Sequence, residues 1–166
     1  MPKFNVNRIL QSTISLNKSR ANIGSFANFE LVNTIPYKGV KSLLVQTKLQ
    51  GESSPKSRYN VNILFQDVEF ADTETQGYLK LTYRGEDFWI KPIQPTQNPI
   101  KVRCTCKDFR YTFAYYNSKQ GALFGREPKA YQRKTKRQSR NPNKVVGACK
   151  HILYSLKVLK QSNIVK

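Results

Sequence analysis

The sequence predicts an α+β protein that is mainly β: an antiparallel sheet body followed by a distinct C-terminal unit carrying one helix. Three observations predict it. Tyr59, Val61, Ile63 and Phe65 recur at every second position with Asn60, Asn62 and Gln66 among them, the alternation of a half-buried strand. Short polar segments rich in Gly, Ser and Pro separate several such runs, as between hairpin strands. Only near the end do apolar residues switch to helical spacing, at Ile152, Leu153, Leu156 and Leu159.

The elements follow in order. Residues 1–29 are rich in Asn and Ser. Ile9, Leu10, Ile14 and Leu16 have the spacing of a short amphipathic helix, and an arm that packs elsewhere fits the same composition. The β body spans residues 30–99. Ser42–Gln50 is a strand, GESSPKS a turn, and Tyr59–Phe65 the next strand, with Val68–Ala71 continuing past a bend. Tyr78–Arg84 and Asp87–Ile93 form a hairpin around Gly85-Glu86, with Trp89 expected to anchor its core. Residues 92–99 hold three prolines, which fix φ and cannot donate to a ladder, so they read as an extended connector. Residues 100–166 form the last unit. Ile100–Tyr116 reads as one long strand or a bent pair, residues 126–144 as a long basic loop, and Cys149–Leu159 as the helix.

The chain of 166 residues carries a formal charge of +19, unevenly placed. Residues 1–29 have four basic residues and no acid, residues 30–100 eight of each, and residues 101–166 seventeen basic against two acidic, Asp108 and Glu127. A surface this basic repels itself unless something anionic lies beside it: nucleic acid, an acidic protein face or a crowded assembly. The N-terminal MPKFNVNRIL lacks the apolar stretch of a secretory leader, and no run is long enough to span a bilayer, so a secreted or membrane protein is not expected.

The three cysteines and the one histidine fall into two pairs, Cys104-Thr-Cys106 and Cys149-Lys-His151. Four borderline-soft donors arranged this way match a closed Cys3His tetrahedral zinc site. On a strand, residues i and i+2 share a face, which would present Cys104 and Cys106 together, while a helix start would turn Cys149 toward His151. A disulfide framework would leave one thiol over. A catalytic Cys–His pair would leave two cysteines without purpose. Four protein ligands leave no open coordination position, so one structural Zn2+ is expected. Arg103, Lys107 and Lys150 flank the ligands and are expected to offset the net negative charge of three thiolates on zinc.

This CxC…CxH pattern resembles the SWIM-type zinc finger, a ββα unit. The resemblance implies Cys104, Cys106, Cys149 and His151 as ligands, with the first pair on a hairpin and the second opening the helix. It covers about a third of the chain, and the 42 residues between Cys106 and Cys149 exceed the family's usual span. The wider pattern CxCKDFRYTFAYYN…GALFG…NPN…GACKHIL also resembles zinc-motif virion proteins of tailed bacteriophages.

Phe109, Tyr111, Phe113 and Tyr115 alternate with Arg110, Thr112, Ala114 and Tyr116. They are read as the inner face of a sheet covered by the C-terminal helix, the alternative being a base-stacking platform. Arg126, Lys129, Arg133, Lys134, Lys136, Arg137, Arg140 and Lys144 make the loop a candidate contact for partner subunits or nucleic acid. No phosphate-cradling glycine loop, nucleophile motif or second histidine accompanies them, and the acidic stretch Asp67, Glu69, Asp72 and Glu74 reads as solvated or paired with lysines, so an enzyme is not expected. The expectation is a non-catalytic zinc-containing component of an assembly, such as a phage virion made in the host cytoplasm, with other subunits as partners in a ring or lattice. The alternative is a SWIM-like zinc module that binds nucleic acid through its basic third.

Overall fold

A computed structural model describes residues 3–51, 56–130 and 134–166. The middle of the GESSPKS turn and Arg133 of the basic loop lie outside the described residues. The N-terminal stretch is helical: α1 spans Val6–Leu16, started by the Asn5 side chain, which accepts the Arg8 N–H at 2.9 Å. Ile9 and Thr13, one turn apart, are fully buried on the face turned to the rest of the chain.

Strands β1 (Glu30–Tyr37), β2 (Ser42–Gln50) and β3 (Arg58–Phe65) pair antiparallel in sequence order. A second antiparallel sheet follows from β4 (Phe70–Ala71), β5 (Leu79–Tyr83) and β6 (Glu86–Ile90), with β6 in the middle. The chain then returns to the first sheet, where β7 (Ile100–Cys104) pairs with β3 from Phe65↔Ile100 to Val61↔Cys104. This register delivers Cys104 to the end of the ladder between β3 and the edge strand β7. The expected α+β architecture with a C-terminal helix is what forms.

Two expectations are corrected here. The β5–β6 turn is Arg84-Gly85, both at positive φ (50° and 79°), one residue earlier than Gly85-Glu86; a two-residue hairpin turn of the twist-matched kind needs positive φ at both central positions. In the resulting strand, Phe88 and Ile90 point inward at 2% and 0% exposure. Trp89 sits between them on the outer face, half-buried opposite Lys80, whose ammonium lies 6.0 Å from its ring. Trp89 is therefore a cross-strand cover rather than the core anchor.

The second correction concerns Ile100–Tyr116. The strand stops at Cys104, and the aromatic run is helical: α2 is Lys107–Thr112 and α3 is Ala114–Lys119. Period-two alternation in this segment coexists with a helical i, i+4 pair. Phe109 and Phe113 go to the core together, while Tyr111 is left 37% exposed. The helix begins where it does because Cys106 caps it, its Sγ accepting the Phe109 N–H at 3.3 Å, with Asp108 in the first turn.

The last helix, α4 (Lys150–Gln161), buries Ile152, Leu153, Leu156 and Leu159 as the sequence pattern requires. The proline connector is gripped from both sides. Ile93, fully buried, donates to Ile164 and accepts from Lys166, each at 2.8 Å, and Ile100 donates to the Phe4 carbonyl at 2.8 Å. One apolar cluster runs from Ile9 to Val165 and includes all three cysteines.

Candidate metal centre

The four donors arrive from three elements. Cys104 ends β7, Cys106 caps α2, Cys149 caps α4 and His151 lies in the first turn of α4. Cys104 and Cys106 therefore meet across a strand end and a helix start, not on a shared strand face or hairpin. Their ligand atoms and those of Cys149 and His151 all lie within 4.8 Å of one another, and all four residues are buried. His151 Nδ1 is 3.8 Å from both Cys104 Sγ and Cys149 Sγ. Metal–sulfur bonds of about 2.3 Å and metal–nitrogen bonds of about 2.0 Å give a tetrahedron with edges of roughly 3.5–3.8 Å, so this spacing suits one ion among the four.

The surroundings are those of a thiolate cluster. Backbone N–H groups point at sulfur: Cys106 N–H at Cys104 Sγ (3.5 Å) and Phe109 N–H at Cys106 Sγ (3.3 Å). Hydrogen bonding from Cys104, then from Cys149, holds the Cys106 thiol far below the usual thiol range. Cys104, hydrogen-bonded to that sulfur, is pushed far up, and burial raises Cys149 in the same direction. The His151 ring packs between Tyr59 (centroids 4.6 Å) and Phe26 (5.2 Å), which close the site to water; its Nε2 has no hydrogen-bond partner among the described residues, leaving Nδ1 as the nitrogen presented to the sulfurs.

A cation beside the cluster that the sequence reading did not single out is Arg20. Arg20 pairs bidentately with Asp108 (2.9 and 3.1 Å) and lies 4.9 Å from the Phe113 ring. Asp108 above all, with the negative charge of Cys149 and Cys106, holds its guanidinium protonated more firmly than usual. Arg103 instead turns its guanidinium to the carbonyls of Phe124 (2.6 Å) and Arg126, and Lys150 lies over the Phe26 ring at 5.7 Å. Arg20 stands 88 residues from Asp108, a separation at which no local pattern marks a pair.

The segment leading into Cys149 is held by buried side chains that complete its backbone. Asn141 Nδ2 donates to the Thr112 and Val145 carbonyls, and its Oδ1 accepts the Val145 N–H. Asn117 brackets Gly147 in the same way, and Thr13 accepts the Ala148 N–H at 3.0 Å while donating to Ile9 at 2.7 Å. Sequence reading missed these three. The available signal was Asn117 beside a Tyr-rich run and Asn141 in NPN, polar residues at the edges of apolar segments.

The basic loop has no regular secondary structure among its described residues, and Arg126, Lys129, Lys134, Lys136, Arg137, Arg140 and Lys144 are all exposed. Of these, Lys129, Lys134 and Lys144 line a groove against α2 and α3. No helix among the described residues is long and apolar enough to cross a membrane. The chain matches no protein-family model, no curated protein and no solved structure. What the geometry establishes is a buried Cys3His cluster able to hold one metal ion.

Proposed function

We propose that this chain is a non-catalytic structural component of a macromolecular assembly, in which one zinc ion held by Cys104, Cys106, Cys149 and His151 staples β7 and α2 to α4. One observation carries the reading: all four donors are buried and supplied by the protein, a set that saturates a tetrahedral ion and leaves no place for substrate or water. Three sulfur donors and one imidazole favour zinc over harder cations. Bound there, zinc supplies crosslinks whose binding free energy becomes folding free energy across a 42-residue excursion. The resemblance of the wider pattern CxCKDFRYTFAYYN…GALFG…NPN…GACKHIL to zinc-motif virion proteins of tailed bacteriophages points to a virion as the assembly. Elemental analysis of the purified chain tests the metal: about one zinc per chain, lost in Cys104→Ser. Fully folded, metal-free protein overturns it. Quantitative mass spectrometry of purified particles tests the assembly, where a fixed stoichiometric copy number is expected.

A second reading, a zinc module that meets nucleic acid through its basic third, is favoured by the charge arrangement. Every described cation of the loop is exposed, and its one acid, Glu127, is already paired with Lys119 at 2.7 Å.

A further inference from the structure

Between α2–α3 and the basic loop lie two adjoining cavities of about 670 and 450 Å³. They share Arg110, Tyr111, Lys129 and Ala130, so they form one continuous groove. Its two sides differ in chemistry. The helical wall carries Tyr111, Tyr115 and Tyr116, residues that the correction from strand to helix sorts away from the buried Phe109 and Phe113. The floor and loop wall carry Arg103, Lys129, Lys134 and Lys144. Among the described residues, no carboxylate lines either cavity. Cations already sit beside the rings: the Arg110 guanidinium is 5.5 Å from the Tyr111 centroid, and the Lys119 ammonium is 5.3 Å from that of Tyr115.

A ligand that uses both walls must be polyanionic and carry flat aromatic faces. An acidic peptide satisfies the lysines and leaves the rings idle. A duplex offers phosphates, but its bases are stacked on each other and out of reach. An unpaired strand offers phosphates along one edge and free π-faces along the other. We propose that this groove binds single-stranded nucleic acid, with phosphates along Lys129, Lys134 and Lys144 and bases against Tyr111, Tyr115 and Tyr116. This deepens the second reading above and rests on it.

The test uses the full, metal-loaded chain and fluorescence anisotropy with labelled oligo(dT) of about 20 nucleotides, a duplex of equal length, and polyglutamate as competitor. In about 50 mM salt the parent protein is expected to bind oligo(dT) more tightly than duplex. Replacing Tyr111→Ala and Tyr115→Ala together weakens oligo(dT) binding about 10- to 100-fold and leaves duplex binding unchanged. The Tyr111→Phe, Tyr115→Phe pair, which keeps the rings, binds like the parent, separating lost stacking from structural damage. Lys129→Gln with Lys134→Gln lowers the salt slope for oligo(dT) by about 1.4. If the alanine pair binds oligo(dT) as the parent does while salt-dependent binding persists, the groove assignment falls and the broader nucleic-acid reading stands. If polyglutamate displaces oligo(dT) as well as unlabelled oligo(dT) does, the surface reads charge alone, and the proposal is overturned. No binding to either nucleic acid in low salt overturns both readings.

Discussion

Asn117 and Gly147, thirty residues apart, are joined through both faces of one amide: Asn117 Nδ2 donates to the Gly147 carbonyl at 2.9 Å, and Oδ1 accepts the Gly147 N–H at 3.0 Å. The side chain completes a buried peptide as a neighbouring strand would. Because Gly147 precedes Cys149 by two residues, this clasp sets where the second ligand pair begins.

Removing the clasp is costly, since Asn117→Ala strands both polar groups of a buried peptide. A loss of about 2–4 kcal/mol in unfolding free energy is expected from urea melts of the metal-loaded protein. Gly147 has its own constraint. A Cβ there would stand 2.3 Å from Phe113 Cε1, so Gly147→Ala is expected to cost about 1–3 kcal/mol, and Phe113→Leu should restore part of it in a double-mutant cycle. Strictly additive losses would contradict the contact.

Metal loading should release protons. In the metal-free cluster, hydrogen bonding among the sulfurs lowers the Cys106 thiol while it raises Cys104, and burial raises Cys149, so the group as a whole holds on to thiol protons that metal binding must displace. The metal-free protein thus binds more protons than the loaded one, and zinc affinity rises with pH. Calorimetry at neutral pH in buffers of different ionisation enthalpy should find net proton release on zinc binding, and binding without proton release would contradict it.

The N-terminal helix belongs to the core. Ile9 is fully buried, and Thr13 is the acceptor for Ala148 immediately before Cys149. Ile9→Ala is expected to destabilise by about 2–5 kcal/mol through a cavity. Thr13→Val is expected to destabilise by about 1–3 kcal/mol by orphaning the Ala148 N–H, and to speed zinc loss to a chelator. Chelator-exchange rates unchanged in Thr13→Val would separate α1 from the metal centre.

In the second sheet the stability order of two adjacent aromatics should follow the observed facing. Phe88→Ala is expected to cost about 3–5 kcal/mol and Trp89→Ala only about 1 kcal/mol, both read from denaturant midpoints. The reverse order would mean that the sheet packs by its other face.

Much of this was legible because the signals were local. Strand β3 and helix α4 announced themselves by period, and the candidate metal donors by being the only cysteines and the only histidine in the chain, paired twice at the same spacing. The aromatic run 109–116 was misread because its residues satisfy period two and an i, i+4 pair at once. The deciding fact, that Cys106 turns out of β7 and caps a helix, depends on sulfur meeting a backbone N–H three residues on. Trp89 was misplaced because its size suggested a core anchor, whereas the alternation of β6 turns Phe88 and Ile90 to the core and Trp89 to the other face.

By itself, then, the sequence determined the α+β class, the paired Cys3His donor set and the concentration of positive charge in the last third, since each follows from residue identity and short-range spacing. Tertiary structure alone decided that Arg20 answers Asp108 beside the thiolates, that Asn117, Asn141 and Thr13 complete the backbone before Cys149, and that three tyrosines face three lysines across a groove. Those partners lie from tens of residues to more than a hundred apart. Their meeting depends on how helices and sheets pack together, a choice that no local period encodes.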